Sequence, residues 1–178
     1  MSTPEVPSSD SPFSESEQMA ITMLPNVVGA AVAFSSKNGP VGTVKEMMAN
    51  AKAAVAGVQQ YPDNSLIRSV MPHFEDRAEA MEAAKAMREK QVAALKDAGI
   101  SSKEDMAAHA QAQATEVNAL LAKADPAEAA EYRSWVLDVA ASVAGAAKEG
   151  GFLGIGGEEV GEGEEQMMSA ISAALGVS

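Results

Sequence analysis

The chain predicts an all-α fold: a duplicated helix–loop–helix bundle of six to seven helices with a long central helical hairpin. Three observations carry that expectation. Of 178 residues 47% are hydrophobic, yet aromatics are only 4%, Met numbers 11 and Ala dominates the middle of the chain. Ala and Met form helices readily, whereas the β-branched and aromatic types that favour strands are thin. Helix starts and stops are also plainly written. Finally, Val32 to Gly39 (V-A-F-S-S-K-N-G) and Val143 to Gly150 (V-A-G-A-A-K-E-G) share their V-A start and K-x-G end at identical spacing, the trace of an internal duplication.

Residues 1–13, rich in Ser and Pro and without periodicity, read as a disordered N-terminal tail, leaving 14–178 as one helical domain. Ser14/Glu17, Thr43/Glu46 and Ser101/Glu104 fit the S/T-x-x-E capping box, in which side chain and backbone satisfy each other's unpaired groups. Asp125 before Pro126 is an Asp-capped start with Pro in the first helical position. Gly39, Gly99, Gly150 and Gly176 fall where a helix takes its left-handed cap.

The helices expected between these signals span 15–36, 43–59, 65–72, 74–98, 102–124, 126–148 and 162–175. Pro25 kinks or splits the first. The helix from 126 sets Tyr132, Trp135, Val136, Val139, Val143 and Ala146 on one stripe, with Glu131, Ser134, Asp138 and Ser142 opposite. The helix from 102 turns Met106, Ala110, Val117, Leu120 and Leu121 inward. Segment 74–98, with a thin seam of Phe74, Ala78, Met81 and Leu95, forms a hairpin with 102–124. The first and last helices, apolar almost all round, are expected as paired central elements.

Twenty-five acidic against 13 basic residues give a formal charge of −12, which repels nucleic acid and anionic membranes and favours a divalent cation or a basic partner. The absence of Cys removes disulfides, thiolate zinc sites and thiol catalysis. The apolar run Met19 to Phe34 is interrupted by Pro25 and Asn26 and preceded by Glu15 and Glu17, the reverse of a signal peptide. It reads as a buried helix of a cytoplasmic protein, not a transmembrane segment.

Candidate chemistry is sparse. His73 and His109 have no partner at metal-ligating spacing. The segment Gly150 to Gly157 (G-G-F-L-G-I-G-G) lacks the G-K-[S/T] of a phosphate loop, and Glu158 and Glu159 follow it. Its Phe152, Leu153 and Ile155 either fold back onto the bundle or stay exposed and dock a partner. The one ionisable cluster is Glu149, Glu158, Glu159, Glu162, Glu164 and Glu165. It is either a set of helix-start charges placed by the helix dipole or a weak site for a hard cation such as Ca²⁺. No nucleophile, base and orienting group can be assembled, so the expectation is a protein that is not an enzyme.

The stretch from Trp135 to Gly176 (W-V-L-D-V-A-A-S-V-A-G-A-A-K-E-G-G-F … E-E-Q-M-M-S-A-I-S-A-A-L-G) resembles the closing repeat of the TerB-like tellurite-resistance family. The shared pattern is an apolar helix, an acid followed by Gly, a second acid opening the next helix, and an I-x-x-x-L-G ending. The resemblance implies an all-helical, internally duplicated fold in a bacterial, stress-associated, non-enzymatic protein whose acids bind a divalent cation. Glu149-Gly150 would be the acid–Gly pair, and Glu164 or Glu165 the helix-opening acid. In the earlier repeat Asn38-Gly39 takes the acid–Gly position and Glu46 opens the helix. The alternative function is a helical protein–protein interaction module, docking a partner through the Phe152–Ile155 loop or the 74–124 hairpin.

Overall fold

Helix α1 (Glu15–Ser35) starts at the expected capping box: Glu17 N donates to Ser14 Oγ at 3.3 Å, and Ser14 N donates to the Glu17 carboxylate at 2.9 Å. The computed structural model describes residues 11–35, 50, 52–70, 82, 85, 86, 89, 93, 95–148 and 162–177, and all statements below concern these. Phe13, which the sequence leaves in the tail, is buried against the core, and its carbonyl accepts from Gln18 Nε2 at 3.2 Å. The large apolar area of its ring makes that burial favourable.

Pro25 neither ends nor divides α1, which runs continuously through it. A proline has no N–H, so the Ile21 carbonyl four residues back loses its helical donor. The Tyr132 hydroxyl supplies the missing hydrogen bond at 2.6 Å, inside the core.

Two helices follow on the same side: α2 (helical residues 50 and 52–60) and α3 (Ser65–Val70), with Leu66, Ile67 and Val70 buried. The helical residues 82, 85, 86, 89, 93 and 95–97 make α4, and of these only Leu95 is not exposed. Phe74, Ala78 and Met81 of the expected seam lie outside the described residues, as does the cap Thr43/Glu46.

The turn of the α4 hairpin is formed by Gly99 at φ +71°, where Gly99 N donates to Lys96 O and Ile100 N to Leu95 O, a Schellman closure. Leu95 and Ile100, the pair that this motif brings together, both pack against the core. Helix α5 (Lys103–Leu120) begins one residue later than expected, capped by Ser102 and Asp105 in place of Ser101 and Glu104. Asp105 Oδ2 accepts from the backbone N–H groups of both Ser101 and Ser102. The shorter acid closes the box, and Glu104 stays exposed.

After Leu120 the chain tightens into one 3₁₀ turn, Leu121–Lys123, so the expected 102–124 helix is an α-helix with a tightened end. Helix α6 (Pro126–Lys148) starts on Asp125, whose Oδ1 accepts from Ala127 N at 2.8 Å. Its inward stripe is as expected: Tyr132, Trp135, Val136, Val139 and Val143 are buried, and Glu131, Ser134, Asp138 and Ser142 are exposed. Ala146 is half-buried. Helix α7 (Glu162–Ala174) ends in a second Schellman closure at Gly176, φ +69°.

The architecture is all-α, with no strand among the described residues. Helices α1 and α7 pack on each other and on both α5 and α6, while α3 seals the α1–α6 side. Tyr132 and Trp135 meet edge to face at 5.7 Å between ring centroids, within a core that is otherwise mostly aliphatic. Gly57 makes this possible: a Cβ there would overlap the Trp135 indole at Nε1 and Cδ1. The pairing of α1 with α7 agrees with the expected central helices, but α1 is not enclosed. Its buried face spans Ile21, Leu24, Val28 and Val32, while Met19 and Phe34 on the other side are about half exposed.

Candidate functional site

The first turn of α7 carries three acids, Glu162, Glu164 and Glu165, whose charge complements the positive end of the helix dipole. Their environments differ because of helical geometry. Glu164 heads the stripe that continues through Met167, Ile171 and Leu175, at spacings of one helical face, so it is drawn into the core and is only 4% exposed. Glu162 and Glu165 project into solvent. Gly163 permits the approach, since a Cβ there would sit 3.1 Å from the Ser35 carbonyl oxygen at the end of α1. Glu164 therefore occupies the junction where α7 opens against the C-terminus of α1.

Burying a carboxylate costs several kcal/mol unless hydrogen bonds or opposite charge offset it. Burial, not charge, is what separates Glu164 from Glu162 and Glu165. Of the acids proposed for a cation, Glu149 and Glu46 lie outside the described residues, as do Glu158 and Glu159 of the wider cluster. Glu164 and Glu165 are described, and they point apart. Among the described residues no three Asp, Glu or His side chains converge as a cation of several oxygen ligands requires.

A second polar cluster, which the sequence reading missed, joins the α2–α3 turn to α6. Asn64 is 1% exposed and fully used: its Nδ2 donates to Glu128 O and to Glu131 Oε2, both at 2.9 Å, and its Oδ1 accepts from Ile67 N at 3.0 Å. Glu128 in turn accepts from Ser65 N at 2.7 Å and from Ser65 Oγ at 2.8 Å. The available signal was Asn64 immediately before an apolar helix, a strong N-cap residue type. Burial raises the Tyr61 phenol above its ordinary range, and the nearby Asp138 and Glu131 carboxylates add to the effect. Every polar group of Asn64 and both oxygens of Glu128 are spent on the fold, so this cluster docks α3.

His109 is half-buried on α5, and His73 lies outside the described residues. Trp135 Nε1 is buried against Gly57 without a hydrogen-bond partner. Phe152, Leu153 and Ile155 also lie outside the described residues, and of the 74–124 hairpin the structure describes the α4 positions given above and the whole of α5. Comparison with the models of known protein families, with curated proteins and with solved structures finds no match to this chain.

Proposed function

We propose that this chain is a non-enzymatic, TerB-like, stress-associated helical protein that binds a divalent cation weakly through carboxylates at the α1–α7 end. The reading includes the internal duplication and joins Glu164 to Glu149, with Glu46 contributed by the first repeat. It is supported by one observation above others: Glu164, at the position where the resemblance puts the helix-opening acid, is taken out of water at an inter-helix junction. A hard cation such as Ca²⁺ takes carboxylate oxygens, and Glu149 and Glu46 would have to join Glu164 to hold it.

The test is calorimetric titration of the intact chain with Ca²⁺, Mg²⁺ and Zn²⁺, together with melting curves at millimolar Ca²⁺. Ca²⁺ should raise Tm by mass action, and Glu149→Gln with Glu164→Gln should abolish the rise without unfolding the metal-free protein. A wild-type Tm that ignores millimolar Ca²⁺ overturns the cation assignment.

A second reading, a helical module that docks a protein partner, is favoured by a separate observation: Met19, Phe34 and Val55 are large apolar side chains at least 50% exposed.

A further inference from the structure

The outward third of α1 is a continuous uncharged strip. At 100° per residue Met19, Thr22, Met23, Asn26, Ala30, Ala33 and Phe34 fall within one face about 120° wide. Met19 and Phe34 are exposed, Thr22, Met23 and Asn26 half-buried, and Ala30 and Ala33 lean on the core. No charged residue occurs from Gln18 to Ser35. In a chain of net charge −12, a surface helix of 21 residues would ordinarily carry charge along its solvent side. The nearest acids lie beyond its ends along the chain fold. Glu15 is exposed one turn before Met19, and Glu162 and Glu165 are exposed where Gly163 abuts Ser35, the residue after Phe34.

We infer that the outward face of α1 is a docking surface for a basic amphipathic helix of a partner protein. The partner's apolar stripe would lie along Met19, Met23 and Phe34, and its Lys or Arg residues would meet Glu15 beside Met19 and the acidic surface around the strip. This is the helix-in-groove mode with anchors spaced along one face. Charge complementarity selects the occupant. A second copy of this chain would bring −12 against −12, and an anionic bilayer would meet the same repulsion. By length and composition α1 could cross a membrane. However, its opposite face is already committed to α5, α6 and α7, and insertion would strip that face from the core. The inference rests on the interaction-module reading and names its surface and partner class.

The probe is a fluorescein-labelled peptide of two L-K-K-L-L-K-L heptads, titrated by anisotropy against the full chain. Saturable binding is expected, weakened about tenfold or more by Met19→Glu with Phe34→Glu. It should also be weakened, to a lesser degree, by Met19→Gln with Phe34→Gln, a pair that keeps the charge and the fold. Phe152→Glu with Leu153→Glu should bind as wild type does. Equal binding of a scrambled peptide of the same composition overturns the proposal, since that would be attraction between net charges alone. Binding that survives the α1 variants but fails in the Phe152/Leu153 variant overturns the α1 surface and leaves the interaction reading standing, whereas no binding at all overturns both. Flotation with phosphatidylcholine–phosphatidylglycerol vesicles, or dimerisation of the free chain, that the α1 variants abolish would also overturn it, assigning the face to a membrane or to a second copy.

Discussion

The Tyr132 hydroxyl donates to the Ile21 carbonyl, the acceptor that Pro25 leaves without a helical donor. Proline inside a helix costs about 3 kcal/mol, part of it from this lost hydrogen bond. Here a side chain more than a hundred positions away restores the bond and ties α6 to the middle of α1. Because the pair is buried, neither group can turn to water if the other is removed.

Replacing Tyr132 with Phe should therefore cost about 1–3 kcal/mol, the penalty for leaving a buried acceptor unmade. Pro25→Ala returns an N–H to the Ile21 carbonyl. The cost of Tyr132→Phe should then be smaller in the Pro25→Ala background, so that the double mutant in a urea cycle loses less than the sum of the single changes. Strict additivity would show that the hydroxyl does not compensate for the proline.

Alkaline pH tests the same residue independently. Burial pushes the Tyr132 phenol far above its ordinary value of 10.0. A raised folded value means that the unfolded chain loses this proton first. The stability is then complete below pH 10 and falls as pH climbs above it, by about 1.4 kcal/mol per pH unit. Tyr132→Phe should flatten that slope, and phenolate absorbance from Tyr132 should appear only with unfolding. Ionisation in the native state near pH 10 would contradict its burial.

Gly57→Ala should reverse the usual sign of a helical Gly-to-Ala change. In open helix it stabilises by roughly 0.5–1 kcal/mol. Against the Trp135 indole the new methyl overlaps ring atoms, so the expected outcome is a loss of about 1–3 kcal/mol by chemical denaturation. The native emission of Trp135, the sole tryptophan, should be blue-shifted and move red on unfolding. Trp135→Ala should cost about 3–5 kcal/mol.

Asn64→Ala removes the cap of α3 and two bonds to α6 together. The expected loss is about 2–3 kcal/mol, above the ~1 kcal/mol of an ordinary N-cap, because partners on α6 are left without a donor. Thermal melts of Asn64→Ala beside Asn64→Asp separate the contributions. Asp keeps the cap but donates nothing to α6, so it should recover only part of the loss.

The two left-handed glycines differ in their surroundings. Gly99→Ala should cost about 1–2 kcal/mol from its positive φ alone, since a Cβ there meets no other atom. Gly176→Ala should cost more, because its Cβ would also press on Asn118 Nδ2 at 3.2 Å. Equal losses in melting scans would contradict the crowding at Gly176.

What could be read from the sequence was whatever is encoded within one helix turn. Capping residues, left-handed glycines and the 3.6-residue stripe of α6 are local, so they located the helices and the Trp135 face. The one-residue shift from Ser101/Glu104 to Ser102/Asp105 marks the limit of such signals, because adjacent serines and adjacent acids offer two equivalent boxes. Burial of Glu164, the bond from Tyr132 to Ile21, the docking of Asn64 on α6 and the open side of α1 were not legible. Each depends on which helix lies opposite, and an apolar residue on a helix has the same pattern whether its face meets a neighbour or water. Local propensity and capping determined where the chain is helical. Long-range packing alone decided which carboxylate left water, how Pro25 was accommodated and which side of α1 stayed uncovered, because those choices are settled by desolvation and hydrogen-bond partners far away in the chain.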